Sequence, residues 1–211
     1  MKTQENTQNP KQTQQKTREL VLATASGGMA IALGTLLSIF TVIRMPQGGS
    51  LTIGSMLPII FCALAFGPVW GFGIAIVYGA LQFIIAPYAA HWASIFLDYP
   101  IAFGLLGLAG LFAAPAQQRR SERHVLRRIS FMPLYRIPLA VTVAMLGRLL
   151  AHVLSGVIFF ASYTPEGQNV WLYSLGYNAT YMIPEILITC VLLLPLVYLF
   201  KPRQMKGKGR T

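Results

Sequence analysis

The sequence predicts an all-α integral membrane protein with six transmembrane helices, and three observations lead to that fold class. Of the 211 residues, 55% are hydrophobic and only 11% are charged, whereas soluble domains carry about 25% charged residues. The apolar residues collect in runs close to the roughly 20 residues that a helix needs to cross a bilayer. The 17 lysines and arginines gather between and beyond these runs, as they do on the cytoplasmic side of membrane spans.

The two ends of the chain differ from this apolar middle. Segment 1–18 is rich in Gln, Thr and Lys and has no apolar core, which predicts a disordered cytosolic tail rather than a signal peptide. Segment 201–211 is short and basic, and it predicts a second cytosolic tail. A single membrane domain, residues 19–200, lies between the two tails.

The apolar runs of this domain are interpreted, in order, as six helices over 19–43, 51–66, 68–88, 93–115, 135–161 and 175–200. The second and third are separated only by Gly67 before Pro68, which predicts a tight turn. With the amino terminus inside the cell, alternate crossings place segment 119–128 and the carboxyl terminus inside as well. Of the 17 basic residues only Arg44 then lies in an outer loop, so the charge distribution agrees with an even number of spans.

The first predicted span carries small residues at helical spacing. One face presents Ala23, Gly27, Ala30 and Gly34, and a second pair is Gly28 and Ala32. Small residues let another transmembrane helix approach closely. The pattern leaves two partners open, namely helices of this same chain or a separate membrane protein that docks on this face.

Ionisable side chains inside a bilayer are costly and usually functional, and the predicted spans contain Asp98, Arg148, His152 and Glu185. Arg148 and His152 are four residues apart, so they share a helix face. Similar depths in neighbouring spans predict a structural pair between Arg148 and Glu185, with Asp98 and His152 facing a ligand. The alternative is one buried polar network that only fixes helix packing.

The start of the last apolar run is unusually polar and aromatic for a membrane helix. Tyr173, Tyr177 and Tyr181 are four residues apart and share one face, and Asn178 lies among them. An interfacial belt of aromatic residues is the alternative, and it accounts well for Trp171 and Tyr173. It does not account for the asparagine.

A cavity that opens to the outside is predicted from the polar and aromatic side chains in or next to the last three spans, namely Asp98, His152, Tyr173, Tyr177 and Asn178. A carboxylate at Asp98 accepts hydrogen bonds from an amine, and aromatic faces attract cations. The expected ligand is therefore small, aromatic, and either cationic or amine-bearing. Candidates for further walls of the cavity are Tyr88, Trp92, Phe159 and Phe160.

Missing motifs narrow the function. The sequence has no phosphate-binding P-loop and no His-Glu-x-x-His zinc motif, so we expect no enzyme activity, no metal and no cofactor. The net charge of +11 comes without a nucleic-acid-binding motif, and the basic clusters suit lipid headgroups instead. Two functions remain open: a binding subunit powered by other proteins, and a stand-alone ion-coupled transporter that uses Asp98 and Glu185. The lack of an inverted repeat favours the first.

Four ordered segments, residues 45–58, 96–99, 151–156 and 172–184, resemble the thiamine-specific substrate-binding (S) component of energy-coupling factor transporters. The resemblance covers about residues 19–200. It implies a six-helix protein of the bacterial plasma membrane that binds thiamine from outside. It also implies three partners, a transmembrane coupling subunit and two cytosolic ATPase subunits.

The resemblance also implies roles for individual residues. The family's acidic pocket residue falls at Asp98, and its histidine, tyrosine and asparagine fall at His152, Tyr173 and Asn178. Aromatic pocket walls fall at Tyr88 and Phe160. Tyr177 is a further candidate that comes from the aromatic face of the last span and not from the resemblance. The small-residue face of the first span matches the surface on which the coupling subunit docks, which favours the external partner for Ala23, Gly27, Ala30 and Gly34.

The chain departs from the family pattern at four positions. Asp98 stands where some members have glutamate, and Phe160 stands where some have tryptophan. Gly49 and Ile53 occupy positions near the second span where some members place Trp and Glu.

Overall fold

The computed structural model describes residues 10–200, so the predicted tail 201–211 and residues 1–9 lie outside the described part of the chain. The described part is mostly helical, which confirms the predicted class at that level. In order, its main elements are α1 (Pro10–Ile39), β1 (Thr41–Arg44), β2 (Ser50–Thr52), α2 (Leu57–Phe66), α3 (Pro68–Ile85), α4 (Trp92–Phe112), α5 (Ala116–Ser121), α6 (Val125–Arg128), α7 (Arg136–Phe159) and α8 (Val170–Phe200). Short 3₁₀ turns follow α6 and α7, at Ile129–Phe131 and Ala161–Tyr163.

Within residues 10–200, five helices are long and apolar enough to cross a membrane, namely α1, α3, α4, α7 and α8. The remaining apolar helix, α2, has only 10 residues. At 1.5 Å per residue such a helix is about 15 Å long, roughly half the thickness of the hydrocarbon core. Nine of its ten residues are buried, so α2 lies inside the bundle and is apolar on every side.

Two boundaries of the predicted first span are wrong. Helix α1 begins at Pro10, so residues 10–18, predicted as part of a disordered tail, are helical. Gln, Lys and Arg in this segment are good helix formers, and proline is well placed in the first turn of a helix. At the other end α1 stops at Ile39, and β-branched Thr41, Val42 and Ile43 continue as a strand.

Strands β1 and β2 form an antiparallel hairpin in which Thr41 pairs with Thr52, and Arg44 with Ser50. The second predicted span, 51–66, is therefore wrong in its first six residues. Gly54 has a φ of +77°, a left-handed conformation that favours glycine, and it turns the chain from β2 toward α2. The predicted tight turn between α2 and α3 is confirmed at Gly67, whose φ is +91°.

Helix α8 begins at Val170, five residues before the predicted start of the last span. The reason is a side-chain cap. Asn169 Oδ1 accepts hydrogen bonds from the backbone N–H groups of Trp171 and Leu172 at 2.9 Å and 3.2 Å. Capping of this kind satisfies amide groups that a helix otherwise leaves unpaired.

The small-residue face of α1 is buried inside the protein. Ala23 and Ala30 are 0% and 6% exposed, and a Cβ atom added to Gly27 would lie 2.9 Å from the Ile74 side chain of α3. At Gly34 it would lie 3.0 Å from the Ser55 carbonyl oxygen. The prediction that Ala23, Gly27, Ala30 and Gly34 dock a partner protein is therefore wrong, because helices of this chain already cover that face.

Helix α4 is irregular where it carries its one acidic residue. It contains a π-helical segment, Leu97–Ile101, with Pro100 inside it. Proline has no backbone N–H to donate, which fits a local widening of the helix, and π-helical turns frequently occur at functional sites. This segment places Asp98.

Candidate functional site

A cavity with about 880 Å³ of empty space, which includes open solvent at its mouth, lies at the hairpin end of the helix bundle. Its walls come from the hairpin turn, the end of α3, the first half of α4, the second half of α7 and the first part of α8. These chain segments are far apart in sequence and meet only through the fold.

All seven predicted ligand-binding residues line this cavity, namely Tyr88, Asp98, His152, Phe160, Tyr173, Tyr177 and Asn178. Two further candidates for its walls, Trp92 and Phe159, are not among the lining residues. Trp171 is 55% exposed, as expected for an interfacial residue. The fold therefore brings the seven predicted binding residues to one cavity, but Trp92 and Phe159 lie outside it.

The carboxylate of Asp98 is held from α7. His152 Nδ1 lies 3.2 Å from Asp98 Oδ1, and the Ser155 hydroxyl donates a 2.7 Å hydrogen bond to Oδ2. The other ring nitrogen of His152, Nε2, is buried and has no hydrogen-bond partner within residues 10–200. A polar ligand in the cavity can supply that partner.

Sequence reasoning missed Ser155. Its position could have identified it, because residues three apart on a helix are neighbours and Ser155 follows His152 by three positions.

On α8 a second set of hydrogen bonds fixes the amide of Asn178. Its Nδ2 donates to the Ser174 carbonyl oxygen at 2.9 Å, and its Oδ1 accepts from the Tyr181 hydroxyl. Tyr181 is only 4% exposed, but it lines the cavity, so this predicted member of the aromatic face both orients Asn178 and forms part of the wall. Tyr173 and Tyr177 pack with ring centroids 6.3 Å apart.

The hairpin turn covers this aromatic face. The backbone N–H of Gln47 donates to the Tyr177 hydroxyl at 2.8 Å, and the Gln47 side chain donates to the Tyr173 hydroxyl at 3.1 Å. A Cβ atom added to Gly49 would lie 2.4 Å from Tyr181, and one added to Gly48 would lie 2.5 Å from Tyr88. Only glycine allows this close approach of backbone to rings.

The predicted pair of Arg148 with Glu185 is wrong. Both carboxylate oxygens of Glu185 are bound by Thr52, one by its backbone N–H at 2.9 Å and the other by its hydroxyl at 2.6 Å. Glu185 thus ties α8 to the hairpin. The guanidinium of Arg148 lies over the Phe103 ring, 4.2 Å from its centroid, and contacts Met56 Sδ at 3.2 Å.

Arg148 lines the cavity instead. It is 7% exposed, and its Nε is buried without a hydrogen-bond partner in the described part of the chain. A cation of this kind at the cavity floor can donate to a ligand acceptor atom. Arg148 therefore belongs to the candidate site and not to a structural pair. Glu185 keeps a structural role, but its partner is Thr52.

The fold and the cavity are those of a membrane-embedded protein with a polar, aromatic pocket between its helices. Comparison with known proteins names the family. The family described as Thiamine transporter protein (Thia_YuaJ) matches residues 24–205 of this chain, and the chain belongs to that family. It is a multi-pass protein of the cell membrane.

Named relatives agree with this assignment. The chain is 35% identical to the thiamine transporter ThiT of Bacillus subtilis over 190 residues, which cover 90% of this chain and 93% of that protein. It is 34% identical to ThiT of Lacticaseibacillus paracasei over 97 residues, 45% of each chain. A solved structure of ThiT from Listeria monocytogenes is 18% identical, with a TM-score of 0.70 over 85% of this chain and 94% of that one, and it shares the fold.

Proposed function

We propose that this protein captures thiamine at the outer face of the cell membrane and works as the substrate-binding component of an energy-coupling factor importer. One observation carries the proposal. The cavity gathers a carboxylate, an imidazole, an amide and several phenols, from Asp98, His152, Asn178 and the tyrosines, in a chain that belongs to the thiamine transporter family.

The chemistry of the cavity suits the two rings of thiamine. Asp98 accepts hydrogen bonds from the amine of the aminopyrimidine, and its negative charge balances the positive charge of the thiazolium. The rings of Tyr88 and Phe160 stand nearly parallel, 12° apart, with centroids separated by 6.0 Å. Aromatic faces of this kind attract the thiazolium cation.

We further propose six membrane crossings with both termini in the cytosol. The hairpin and α2 together make the second crossing, in which the short helix is shielded by its neighbours. This arrangement places the basic end, where α1 and α5 carry Lys16 and Arg120, in the cytosol. It leaves the cavity open to the outside.

The energy for transport comes, in this proposal, from partner proteins. A transmembrane coupling subunit and two cytosolic ATPase subunits hydrolyse ATP, and this chain binds thiamine without any catalytic step. A stand-alone ion-coupled transporter would instead need a carboxylate that is free to exchange an ion. Within the described residues, Asp98 is bound by His152 and Ser155, and Glu185 is bound by Thr52.

Titration calorimetry with purified protein tests the proposal. Thiamine should bind without ATP and without partner subunits. His152→Ala should weaken binding, because it removes a group that lines the cavity, whereas His91→Ala should not, because His91 is not among the lining residues. Calorimetry suits the site better than fluorescence, since none of the three tryptophans lines the cavity.

Two results would contradict the proposal. One is an absence of thiamine binding by the folded protein. The other is accumulation of thiamine in liposomes that contain this chain alone under an ion gradient, which would identify a secondary transporter.

A further inference from the structure

A second cavity lies at the opposite end of the bundle from the ligand cavity. It lies between the first turns of α1, the beginning of α3 and α5, and its walls include Gln12, Gln15, Lys16, Trp70 and Arg120. None of these residues takes part in the ligand cavity. We refer to these five residues as the basic groove.

The basic groove keeps an unbalanced positive charge. Its one acidic wall residue, Glu19, is bound by both Nη atoms of Arg128 at 2.8 Å each. The ion pairs within residues 10–200 are Arg128–Glu19 and His152–Asp98, so Lys16 and Arg120 belong to neither. Both side chains are exposed.

The backbone of Arg120 is bonded to α1. The guanidinium of Arg18 on α1 donates a hydrogen bond to the backbone carbonyl oxygen of Arg120 on α5. This bond joins the two elements whose cations face the groove. The bond therefore holds together the backbone segments from which the exposed Lys16 and Arg120 side chains extend.

The groove changes from polar to apolar along its length. Gln12, Gln15 and Lys16 belong to the first turns of α1, and the next turn presents Leu20, which is 54% exposed. Beside Trp70 lies Val69, which is 83% exposed. Tryptophan indoles favour the headgroup level of a membrane, so Val69, one residue nearer the start of α3 than Trp70, lies at that level too. Leu20, one turn further along α1 than Lys16, lies on the side of the acyl chains.

We propose that the basic groove binds the headgroup of an anionic phospholipid. The phosphodiester lies between Lys16 and Arg120, with the two glutamine side chains as further hydrogen-bond donors, and the acyl chains follow Leu20. Basic pockets between transmembrane helices on the cytoplasmic side bind anionic headgroups in this way. The order of charged rim and apolar wall fits a lipid better than it fits an acidic protein surface, which would need no apolar extension.

Thermal unfolding of the purified full-length protein in detergent tests this proposal. Phosphatidylglycerol should raise the unfolding midpoint, because a ligand that binds only the folded state stabilises it. Phosphatidylcholine, whose headgroup has no net charge, should raise it much less. The double variant Lys16→Gln with Arg120→Gln should lose more than half of the phosphatidylglycerol shift. A matched variant, Arg123→Gln with Arg127→Gln, removes two exposed charges outside the groove and should keep the shift.

Three results would overturn the proposal. Equal losses in the two double variants would mean that the lipid responds only to surface charge. An equal shift from phosphatidylcholine would mean that the headgroup charge is not recognised. An equal shift from inorganic phosphate at the same concentration would identify a simple anion site and not a lipid site.

A second measurement keeps the proposal testable if the groove variants fold poorly. In the variant Trp92→Phe with Trp171→Phe, Trp70 is the only remaining tryptophan. Brominated phosphatidylglycerol should quench its fluorescence more strongly than brominated phosphatidylcholine at the same membrane content. Equal quenching by the two lipids would contradict selective binding at the groove.

Discussion

Two buried charged groups, one at each end of the helix bundle, differ in how their polar atoms are satisfied. At the basic end, Glu19 and Arg128 satisfy each other with two hydrogen bonds of 2.8 Å, and Arg128 also lies over the Phe66 ring. At the cavity end, His152 Nε2 and Arg148 Nε are buried and have no partner within residues 10–200.

Burial without a partner is not confined to the cavity end, since Arg18 Nε at the basic end shares it, but His152 and Arg148 also line the cavity, where a ligand can reach them. A buried polar atom without a partner costs folding free energy, and a ligand that hydrogen-bonds to that atom offsets the cost. Changes at the basic end should therefore alter stability and spare thiamine binding. Changes at the cavity end should instead lower thiamine affinity and leave the free energy of unfolding nearly unchanged.

The largest effect is expected for Glu19→Gln. It leaves Arg128, which is 0% exposed, as an uncompensated buried charge, and breaking such a pair costs about 3–5 kcal/mol. Chemical or thermal unfolding in detergent should show that loss, while the dissociation constant for thiamine in the folded fraction stays the same. The exposed Glu166→Gln serves as the charge-matched control and should change neither quantity.

The double variant Glu19→Leu with Arg128→Met sharpens this prediction. Removing both charges avoids the uncompensated cation, so stability should recover most of the loss. A double variant as unstable as Glu19→Gln would show that the pair has a role beyond charge compensation. A change in thiamine affinity in any of these variants would contradict the separation of the two ends.

The second effect is expected for Asp98→Asn. Hydrogen bonds to charged groups contribute about 1.5–3 kcal/mol, so affinity for thiamine should fall by roughly 10- to 100-fold. The amide is isosteric and still accepts the Ser155 hydroxyl, so the unfolding midpoint without ligand should hardly move. Calorimetry measures the first quantity and thermal unfolding the second. Unchanged affinity would remove Asp98 from the ligand site.

Much of the fold and of the candidate site could be predicted from the sequence, for identifiable physical reasons. Long apolar runs predict membrane helices because a helix hydrogen-bonds all of its backbone polar groups internally where no water can. Asp98 and His152 stand out because ionisable residues are rare there. The sequence could not show which buried groups meet. Glu185 and Arg148 matched in depth, but Thr52 reaches Glu185 from the hairpin, 133 residues away in sequence.

The same limit applies to α1 and the hairpin. Small residues at helical spacing predict close packing, but they do not identify the neighbour, and Gly27 meets Ile74 of this chain. The hairpin was assigned to a loop and a span because its strands have only four and three residues. An apolar segment so short carries no clear periodicity.

The third effect is expected for Gly49→Ala, which tests the contact between hairpin and cavity. The new Cβ atom would lie 2.4 Å from Tyr181, whose hydroxyl is bound to Asn178. Overpacking of this kind costs about 1–3 kcal/mol, so the hairpin should move away from the tyrosines and thiamine affinity should fall roughly tenfold. Gly28→Ala has no atom within 4 Å of the new Cβ and should leave affinity unchanged.

The smallest effect is expected for Gln47→Ala. The backbone bond from residue 47 to Tyr177 survives, and only the 3.1 Å side-chain bond to Tyr173 is lost. A neutral hydrogen bond contributes about 0.5–1.5 kcal/mol, so the change in affinity should stay within about tenfold. Because the hairpin turn lies over the cavity, the change should appear in the dissociation rate of thiamine, which stopped-flow competition measures.

Tyr173→Phe removes the same bond from the other partner, so an equal rate in both variants and in their combination would assign the effect to this single contact. A slower association rate with unchanged dissociation would mean that Gln47 guides entry of the ligand and does not hold the cavity closed.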